Sequence, residues 1–291
     1  MEKRPPIPPE IKREVRQRCG YGCVICGIPL YEYEHMLEWA TVKRHIADEI
    51  TLLCRQHHGE KTNRLLPKED IDTANANPFN LRKGVSKNHL LHYSGKSVRL
   101  ALSNGYFEFH DLPEGAFFAP LVVDNVPIVG FRIESGRLLL HFIAFNELNI
   151  PIIQIVDNEL IYRTDQWDIE WVGQKLTIRE GHRKILLQLI FDPPHTIKIS
   201  KGRILLNGIE LLIGDDYLFC SNKSIFFGTI STKNCPIGIA IGDPVPNCGV
   251  GAIISGIPRY GFDRLEARKF LRKCRNKNRF NSFPSCTWER K

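Results

Sequence analysis

The sequence predicts an α+β chain, in which a small N-terminal domain held together by a structural zinc ion precedes an all-β domain and a short basic helix. Three observations support this prediction. Two Cys/His pairs lie within residues 23–57, short apolar runs separated by turn residues begin near residue 97, and Lys and Arg dominate the C-terminal end. We therefore expect four segments: a zinc domain (1–80), a connector (81–96), an all-β domain (97–258) and a basic helical tail (259–291).

The composition is typical of a soluble globular protein. Of the 291 residues, 43% are hydrophobic and 25% are charged, and no apolar run reaches the length of a membrane helix. Residues 1–6 carry no hydrophobic signal region, and an odd number of nine cysteines argues against a disulfide framework. We expect a cytoplasmic protein without membrane contact, whose thiols are reduced or bind metal.

The net charge of +8 is unevenly distributed along the chain. Residues 1–90 carry +3, residues 91–258 carry −3, and residues 259–291 carry +8. Basic segments attract polyanions by releasing condensed counterions, so nucleic acid is the first partner to consider. The alternative is a basic tail that only improves solubility.

Two helices are expected in the zinc domain. Residues 11–18 follow two prolines and precede Gly20, which is the pattern of a helix with a defined start and end. Residues 67–76 begin with acidic side chains and are followed by Asn77-Pro78, which ends a helix because the residue before proline avoids the helical region.

Four residues have the spacing of a closed zinc site. Cys23 and Cys26 form a CxxC pair, and Cys54 and His57 form a CxxH pair. Two intervening residues allow both side chains of a pair to reach one tetrahedral ion, and thiolates with imidazole favour zinc over harder cations. We expect a structural Zn²⁺ that stabilises a segment too short to build its own core. The alternative is a thiol oxidoreductase with a redox CxxC pair and an unrelated Cys54.

Three further polar residues in this segment are not needed for the zinc site. Glu34 and His35 end a run of alternating polarity that predicts a strand, and His58 directly follows the expected ligand His57. Neighbouring residues of a helix point about 100° apart, so His58 is expected to face away from the zinc ion. These residues therefore indicate a second chemical role.

Residues 16–64 resemble the HNH endonucleases, whose catalytic core is the ββα-metal finger. The resemblance rests on Arg16, Arg18, Cys19, Gly20, the CxxC pair with Gly27, the Glu34-His35 dipeptide, Leu52-Leu53, the CxxH pair, His58, Lys61 and Thr62. It implies that His35 is the general base, while Glu34 and His58 hold one catalytic divalent ion, Mg²⁺ or Mn²⁺. It also implies a structural role for the zinc site.

Three positions depart from the pattern of the family. Asp48-Glu49 replaces the middle Asn, so Glu49 is the candidate for ordering the loop and orienting the base. His45 lies nearby and either shares this work or is an ordinary loop histidine. Glu34 replaces the commoner Asp and lengthens the reach by one methylene, and His57 replaces a Cys ligand.

The resemblance implies hydrolysis of DNA phosphodiester bonds. A neutral imidazole accepts a proton from water near neutral pH, and a divalent ion neutralises charge on the phosphate and on the leaving oxygen. Contacts to nucleic acid are expected from the basic residues after the zinc site and in the tail, namely Arg55, Lys61, Arg64, Arg268, Lys269, Arg272 and Lys273. The alternative for each of these is a solvated surface residue.

The all-β domain is expected to be an antiparallel sandwich or barrel, with a β-solenoid as the alternative. Asn207-Gly208 between two apolar runs predicts a two-residue hairpin, and Lys201-Gly202 predicts a further turn. We expect this domain to recognise a regulatory ligand, a protein or a nucleic-acid structure and to position or restrain the nuclease. The alternative is a scaffold that forms a homo-oligomer.

Two functions follow from these features. The first is an active HNH endonuclease in a context such as anti-phage defence or restriction, which rests on analogy with sensor–effector designs. The second is a catalytically inactive zinc protein that binds nucleic acid and whose β domain carries the function. Glu34, His35 and His58 favour the first, because a purely structural zinc knuckle needs none of them.

Overall fold

The computed structural model describes residues 4–220, 225–227, 229–243 and 248–259. The chain divides into two compact units. The N-terminal unit contains the chain up to His89 together with Ile161–Ile185, and the β unit contains Leu90–Leu160 together with the chain from Leu186 onward. The expected basic helix, with Arg268, Lys269, Arg272 and Lys273, lies outside the described residues.

The described residues contain short helices and many short strands. The helices are α1 (Pro9–Arg18), α2 (Trp39–Val42), a 3-10 helix (Ala47–Glu49), α3 (Arg55–Thr62), α4 (Lys68–Ala76) and α5 (Phe79–Lys83). The strands are β1 (Glu32–His35), β2 (Ile50–Leu53), β3 (His89–Leu90), β4 (Val98–Leu102), β5 (Gly105–Phe109), β6 (Phe117–Val123), β7 (Val126–Glu134), β8 (Arg137–Phe145), β9 (Pro151–Val156), β10 (Glu159–Tyr162), β11 (Asp168–Val172), β12 (Lys175–Gly181), β13 (Lys184–Asp192), β14 (Thr196–Leu206), β15 (Ile209–Ile213), β16 (Leu218–Cys220), β17 (Ile225–Phe227), β18 (Thr232–Lys233), β19 (Ile237–Ile241) and β20 (Val250–Ile254). Within the described ranges, none of the helices has the length and apolar character needed to cross a bilayer.

The N-terminal unit is built around one hairpin and the helix that follows it. Strands β1 and β2 pair antiparallel, with His35 opposite Ile50, and α3 begins directly after β2. Helices α1 and α4 confirm the two helices predicted from prolines and acidic first-turn residues. Their apolar faces bury Val15 and Ile71 in a small core with Leu52 and Leu53 of β2. This arrangement places the end of β1 beside the first turns of α3.

A buried ionic network joins α1 to β11 within the N-terminal unit. Arg16 donates from Nε and Nη2 to the two carboxylate oxygens of Asp168, each at 2.8 Å, and both side chains are almost completely buried. Arg179 donates to Asp168 at 2.7 Å and to Glu170 at 2.9 Å. Arg16 also donates to the hydroxyl of Tyr33 on β1 at 2.8 Å. The hairpin of β11 and β12, which the sequence places in the all-β domain, is thus part of the N-terminal unit.

The β unit consists of open sheets in which local hairpins are antiparallel. Strands β6 to β9 pair in sequence order, as do β14 to β17, in agreement with the predicted antiparallel pattern. The hairpin at Asn207-Gly208 is confirmed, because Leu206 pairs with Ile209 and both turn residues have positive φ. Four pairings in the described sheets are parallel: β4 with β14, β5 with β18, β6 with β19, and β19 with β20. The sheets are therefore mixed and not purely antiparallel as predicted, because these strands are not joined by the tight hairpins that impose antiparallel pairing.

The turn predicted at Lys201-Gly202 is wrong. Strand β14 continues through these residues. Its register with β13 shifts next to them, so Ser200 has no opposite residue on β13. Gly202 has φ +137°, and a Cβ atom there would lie 2.5 Å from the carbonyl oxygen of Leu186. A glycine inside a strand marks a close approach of backbones as readily as a turn.

Candidate functional site

The four predicted zinc ligands come together in the N-terminal unit. Cys23 and Cys26 lie in the turns after α1, and Cys54 and His57 lie immediately before and within the first turn of α3. Their ligand atoms are all within 4.8 Å of one another. The predicted Cys/His cluster is therefore present, and it combines side chains from two segments that are distant in sequence.

The spacing of the ligand atoms fits a tetrahedral zinc ion. Zn–S bonds of about 2.3 Å and Zn–N bonds of about 2.0 Å place sulfurs about 3.8 Å apart and sulfur and nitrogen about 3.5 Å apart. Sγ of Cys26 lies 3.8 Å from Sγ of Cys54. Nδ1 of His57 lies 3.3 Å from Sγ of Cys23 and 3.2 Å from Sγ of Cys54. The three thiols and the imidazole can thus hold one Zn²⁺.

The two thiols of the CxxC pair share a hydrogen bond that changes the pKa of both. The hydrogen bond from the Cys26 thiol, opposed by burial and helped by backbone amides, lowers the pKa of Cys23 to about 4, and the same hydrogen bond together with burial raises the pKa of Cys26. The other ring nitrogen of His57, Nε2, lies 4.0 Å from a carboxylate oxygen of Glu60. At this distance Glu60 is not hydrogen-bonded to the ring, and its carboxylate acts on His57 only as a nearby negative charge.

A second polar cluster lies where β1 meets α3. Nε2 of His58 is 2.9 Å from Oε2 of Glu34, and the ammonium group of Lys61 contacts the other oxygen of the same carboxylate. Lys61 also donates to the backbone carbonyl of His35 at 3.3 Å. Glu32, one pleat along β1, lies 3.8 Å from Nδ1 of His58. The structure therefore brings Glu34 and His58 together, and it adds Lys61 as a counter-ion.

The side chain of His35 lies in a separate aromatic and cationic environment. Its Nδ1 contacts a guanidinium nitrogen of Arg4, and its Nε2 lies 3.2 Å from Nδ1 of His45. Nε2 of His45 in turn lies 3.0 Å from the carbonyl oxygen of Pro5. The ring of Trp39 lies edge-on to His35 at 5.4 Å and stacks on His45 at 4.7 Å.

These contacts define the protonation of His35. The same guanidinium nitrogen of Arg4 also lies 3.4 Å from Nε2 of His35, but it is nearer to Nδ1. Because Arg4 can only donate, these contacts favour the tautomer in which Nδ1 accepts and Nε2–H donates to His45, whose Nε2–H donates to Pro5. Burial, with the nearby Arg4 and with His45, lowers the pKa of His35 below its ordinary value. His35 is thus neutral near pH 7, with its lone pair on Nδ1.

His35 and the Glu34–His58 pair meet through the backbone of β1. Successive side chains of a strand point to opposite faces, and the described residues show no hydrogen bond from the His35 ring to Glu34 or His58. Lys61 connects the two clusters, because it contacts the Glu34 carboxylate and the His35 carbonyl. The three residues of the expected active site are therefore neighbours arranged around β1 and Lys61.

Glu49 has a different set of contacts from the one expected. Its carboxylate pairs with Arg44, whose Nε lies 3.1 Å from Oε2, and this hydrogen bond lowers the pKa of Glu49. Its backbone carbonyl accepts a hydrogen bond from Met36 at 2.9 Å, which closes the loop between β1 and β2. Glu49 orders this loop, whereas His45 makes the direct side-chain contact with His35.

The expected nucleic-acid contacts in the N-terminal unit differ in availability. Arg55 and Arg64 are exposed, and the side chain of Arg55 lies 3.8 Å from Glu32. Lys61 is engaged with Glu34. Arg4, which spacing arguments do not single out, adds an exposed guanidinium beside His35 and lies over the ring of Trp39 at 5.0 Å. An Arg among prolines ahead of a helix gives no signal of this contact, which only folding creates.

Comparisons with known proteins leave the site to be interpreted from its own chemistry. No family model matches the chain, and no curated protein and no solved structure matches it.

Proposed function

We propose that this protein is a metal-dependent endonuclease of the HNH type, which hydrolyses DNA phosphodiester bonds. The observation that supports this proposal is the approach of His58 to Glu34, at 2.9 Å, next to His35 and directly after a cluster able to hold zinc. A zinc module that only stabilises a fold has no use for a carboxylate and an imidazole that converge on one face of β1 while a neutral histidine lies on its other face.

The donor set of Glu34 and His58 fits a catalytic divalent ion. Two ligands in adjacent corners of an octahedron, each about 2.1 Å from Mg²⁺ or Mn²⁺, lie about 3.0 Å apart. The observed distance between Nε2 of His58 and Oε2 of Glu34 is 2.9 Å. When bound, such an ion supplies positive charge for the phosphate oxygens and for the leaving oxygen. Lys61 moderates the affinity, because it already neutralises part of the Glu34 charge.

His35 is the proposed general base. Its Nδ1 takes the proton from the attacking water after Arg4 moves from this nitrogen to a phosphate oxygen, while the contact from Nε2 to His45 holds the ring in place. The guanidinium of Arg4 lies beside the same nitrogen and offers donors to phosphate oxygens. Arg55 and Arg64 supply exposed positive charge for flanking phosphates.

The proposal is tested by cleavage of supercoiled plasmid with Mg²⁺ or Mn²⁺. Glu34→Gln and His58→Ala are expected to lower the rate at least about a hundredfold, since each removes a ligand of the ion. Glu38→Gln, an exposed acid a few residues further on, is the charge-matched control and should cleave at the wild-type rate. Absence of cleavage by zinc-loaded wild type, or unchanged cleavage by both ligand variants, would refute the proposed function.

A catalytically inactive nucleic-acid-binding protein is the second candidate. The observation that favours it is the presence of Lys61 on Glu34 and of Arg4 on His35, since both cations occupy the groups that catalysis needs. This candidate predicts zinc-dependent DNA binding without any cleavage in Mg²⁺ or Mn²⁺. It also predicts that Lys61→Ala weakens DNA binding, whereas the nuclease proposal predicts that Lys61→Ala tightens the binding of Mn²⁺.

We propose that the β unit recognises a partner, a ligand or a nucleic-acid structure and thereby targets or restrains the nuclease. It is a compact unit with its own core, so it can carry a separate binding function. A nuclease controlled in this way suits restriction or anti-phage defence. If His35→Ala abolishes nuclease activity and the β unit of the variant still binds its partner, the two functions are separate as proposed.

A further inference from the structure

Two cysteines of the β unit lie opposite each other at the start of paired strands. Strands β19 and β20 run parallel, with Ile237 opposite Val250. The amide of Ile237 donates to the carbonyl of Gly249 at 3.1 Å, which is the bond expected for the parallel pair of Ile237 with Val250. Extending this register two residues back from the first pair would place Cys235 opposite Cys248.

The thiol contacts agree with this register. Sγ of Cys235 lies 3.6 Å from the carbonyl oxygen of Gly249, the residue that follows Cys248. Burial and the proximity of Cys235 raise the pKa of Cys248. Neighbouring strands lie about 4.8 Å apart, and disulfide-bonded cysteines have Cα atoms about 4.4–6.8 Å apart. A disulfide between residues that face each other on neighbouring strands is therefore compatible with the usual strand spacing.

The two thiols also have the accessibility that a reversible disulfide requires. Cys248 is exposed and Cys235 is half-buried, whereas Cys220 in the same unit is fully buried. Both are free thiols in this structure. The exposed Cys248 can reach glutathione disulfide first, although its raised pKa lowers its thiolate fraction, and the half-buried Cys235 then resolves the mixed disulfide.

We propose that Cys235 and Cys248 are a redox-active pair that forms a reversible intramolecular disulfide. The Cys248 thiolate attacks glutathione disulfide, forms a mixed disulfide and releases one glutathione thiolate. The Cys235 thiolate then attacks the Cys248 sulfur and releases the second glutathione. The protein loses two electrons and two protons, and glutathione disulfide is reduced to two molecules of glutathione.

The bond would act on an edge strand. Strand β20 ends the order β20-β19-β6, so β19 is its partner in the described sheet. A bond between Cys235 and Cys248 ties the start of β20 to the segment ahead of β19. Oxidation would therefore hold this edge covalently, and reduction would leave it held by hydrogen bonds alone.

Peptide mass spectrometry tests the proposal without disturbance from other cysteines. Trypsin cuts after Lys233 and after Arg259, so Cys235 and Cys248 lie on one peptide that contains no other cysteine. The zinc-loaded full-length protein is equilibrated with glutathione redox buffers, alkylated and digested. We expect the oxidised peptide to carry no alkyl group and to be two hydrogens lighter than the reduced, unalkylated peptide. Native protein should form this product at a glutathione disulfide level at least about tenfold lower than protein unfolded in urea.

Single variants provide the controls. Cys235→Ser and Cys248→Ser should abolish the intramolecular product, and Cys235→Ser should instead carry one glutathione on Cys248. Cys220→Ser should behave as wild type, because the Cys220 thiol is buried. Full alkylation of both cysteines after oxidation, glutathionylation of wild-type Cys248 without ring closure, or equal oxidation in native protein and in urea would overturn the proposal.

Discussion

Replacing Asp168 by alanine is expected to destabilise the N-terminal unit strongly, because it breaks a buried ionic network. Asp168 accepts hydrogen bonds from two nitrogens of Arg16 and from Arg179, and the side chains of Arg16 and Asp168 are 4% and 2% exposed. Without Asp168, the buried Arg16 charge keeps Glu170 as its acidic partner, at 3.1 Å, and the neutral hydroxyl of Tyr33.

The expected cost is about 3–5 kcal/mol, the range for removing one partner of a buried ion pair. This is a large part of the total of about 5–15 kcal/mol by which ordinary domains are stable. Asp165→Ala is the matched control from the same segment. Its partner Arg163 and Asp165 itself are 30% and 52% exposed, so we expect a cost of at most about 1 kcal/mol.

Urea unfolding followed by tryptophan fluorescence measures these costs. Three of the four tryptophans, Trp39, Trp167 and Trp171, belong to the N-terminal unit, and a Trp288→Phe background removes the fourth, so the signal then reports on this unit. The double variant Arg16→Met with Asp168→Leu should recover most of the lost stability, because it removes both buried charges together. If Asp168→Ala shifts the unfolding midpoint no more than Asp165→Ala does, the buried network does not stabilise the unit as reasoned here.

Three further predictions concern metal, pH and DNA. Metal analysis should find zinc on wild type and none on a Cys54→Ser/His57→Ala variant. Chelation should unfold the N-terminal unit, as detected by tryptophan fluorescence, because the bound ion replaces part of its core. A chelated protein with an unchanged unfolding midpoint would contradict this. Burial lowers the pKa of His141. Below about pH 6.5 the unfolded chain therefore binds a proton that the native chain does not. The free energy of unfolding should fall in this range by up to about 1.4 kcal/mol per pH unit. If a His141→Phe variant shows the same slope of unfolding free energy against pH, His141 is not the cause of this fall. A deletion of residues 260–291 keeps Arg259, which donates to Asp124 at 2.6 Å. This deletion should weaken DNA binding and flatten its salt dependence. Unchanged binding at low and high salt would show that the tail does not contact phosphates.

Features with short sequence separation were predictable from the sequence. The two ligands within each pair of the zinc cluster are separated by two residues, so local spacing predicts that both members of a pair can reach one ion. The helices α1 and α4 have start and end signals within a few residues of their termini. The hairpin at Asn207-Gly208 follows from two residues that tolerate positive φ.

Features that depend on distant contacts were not predictable in this way. Arg16 and Asp168 are 152 residues apart, and nothing near either residue shows that they form a pair. The parallel pairings of β19 with β6 and with β20 join segments without a hairpin signal. The role of His45 beside His35, and the approach of Arg4, likewise result from how the loop and the N-terminal segment fold over Trp39.

His35 is the proposed base in DNA hydrolysis, and replacing it by alanine is the sharpest test of that role. Single-turnover nicking of supercoiled plasmid in Mn²⁺ is compared for zinc-loaded wild type, His35→Ala and His182→Ala, the last being an exposed histidine of the same unit. We expect His182→Ala to match wild type and His35→Ala to be slower by about 10²–10⁴-fold, the usual contribution of a general base. Equal nicking rates for wild type and His35→Ala would contradict the account.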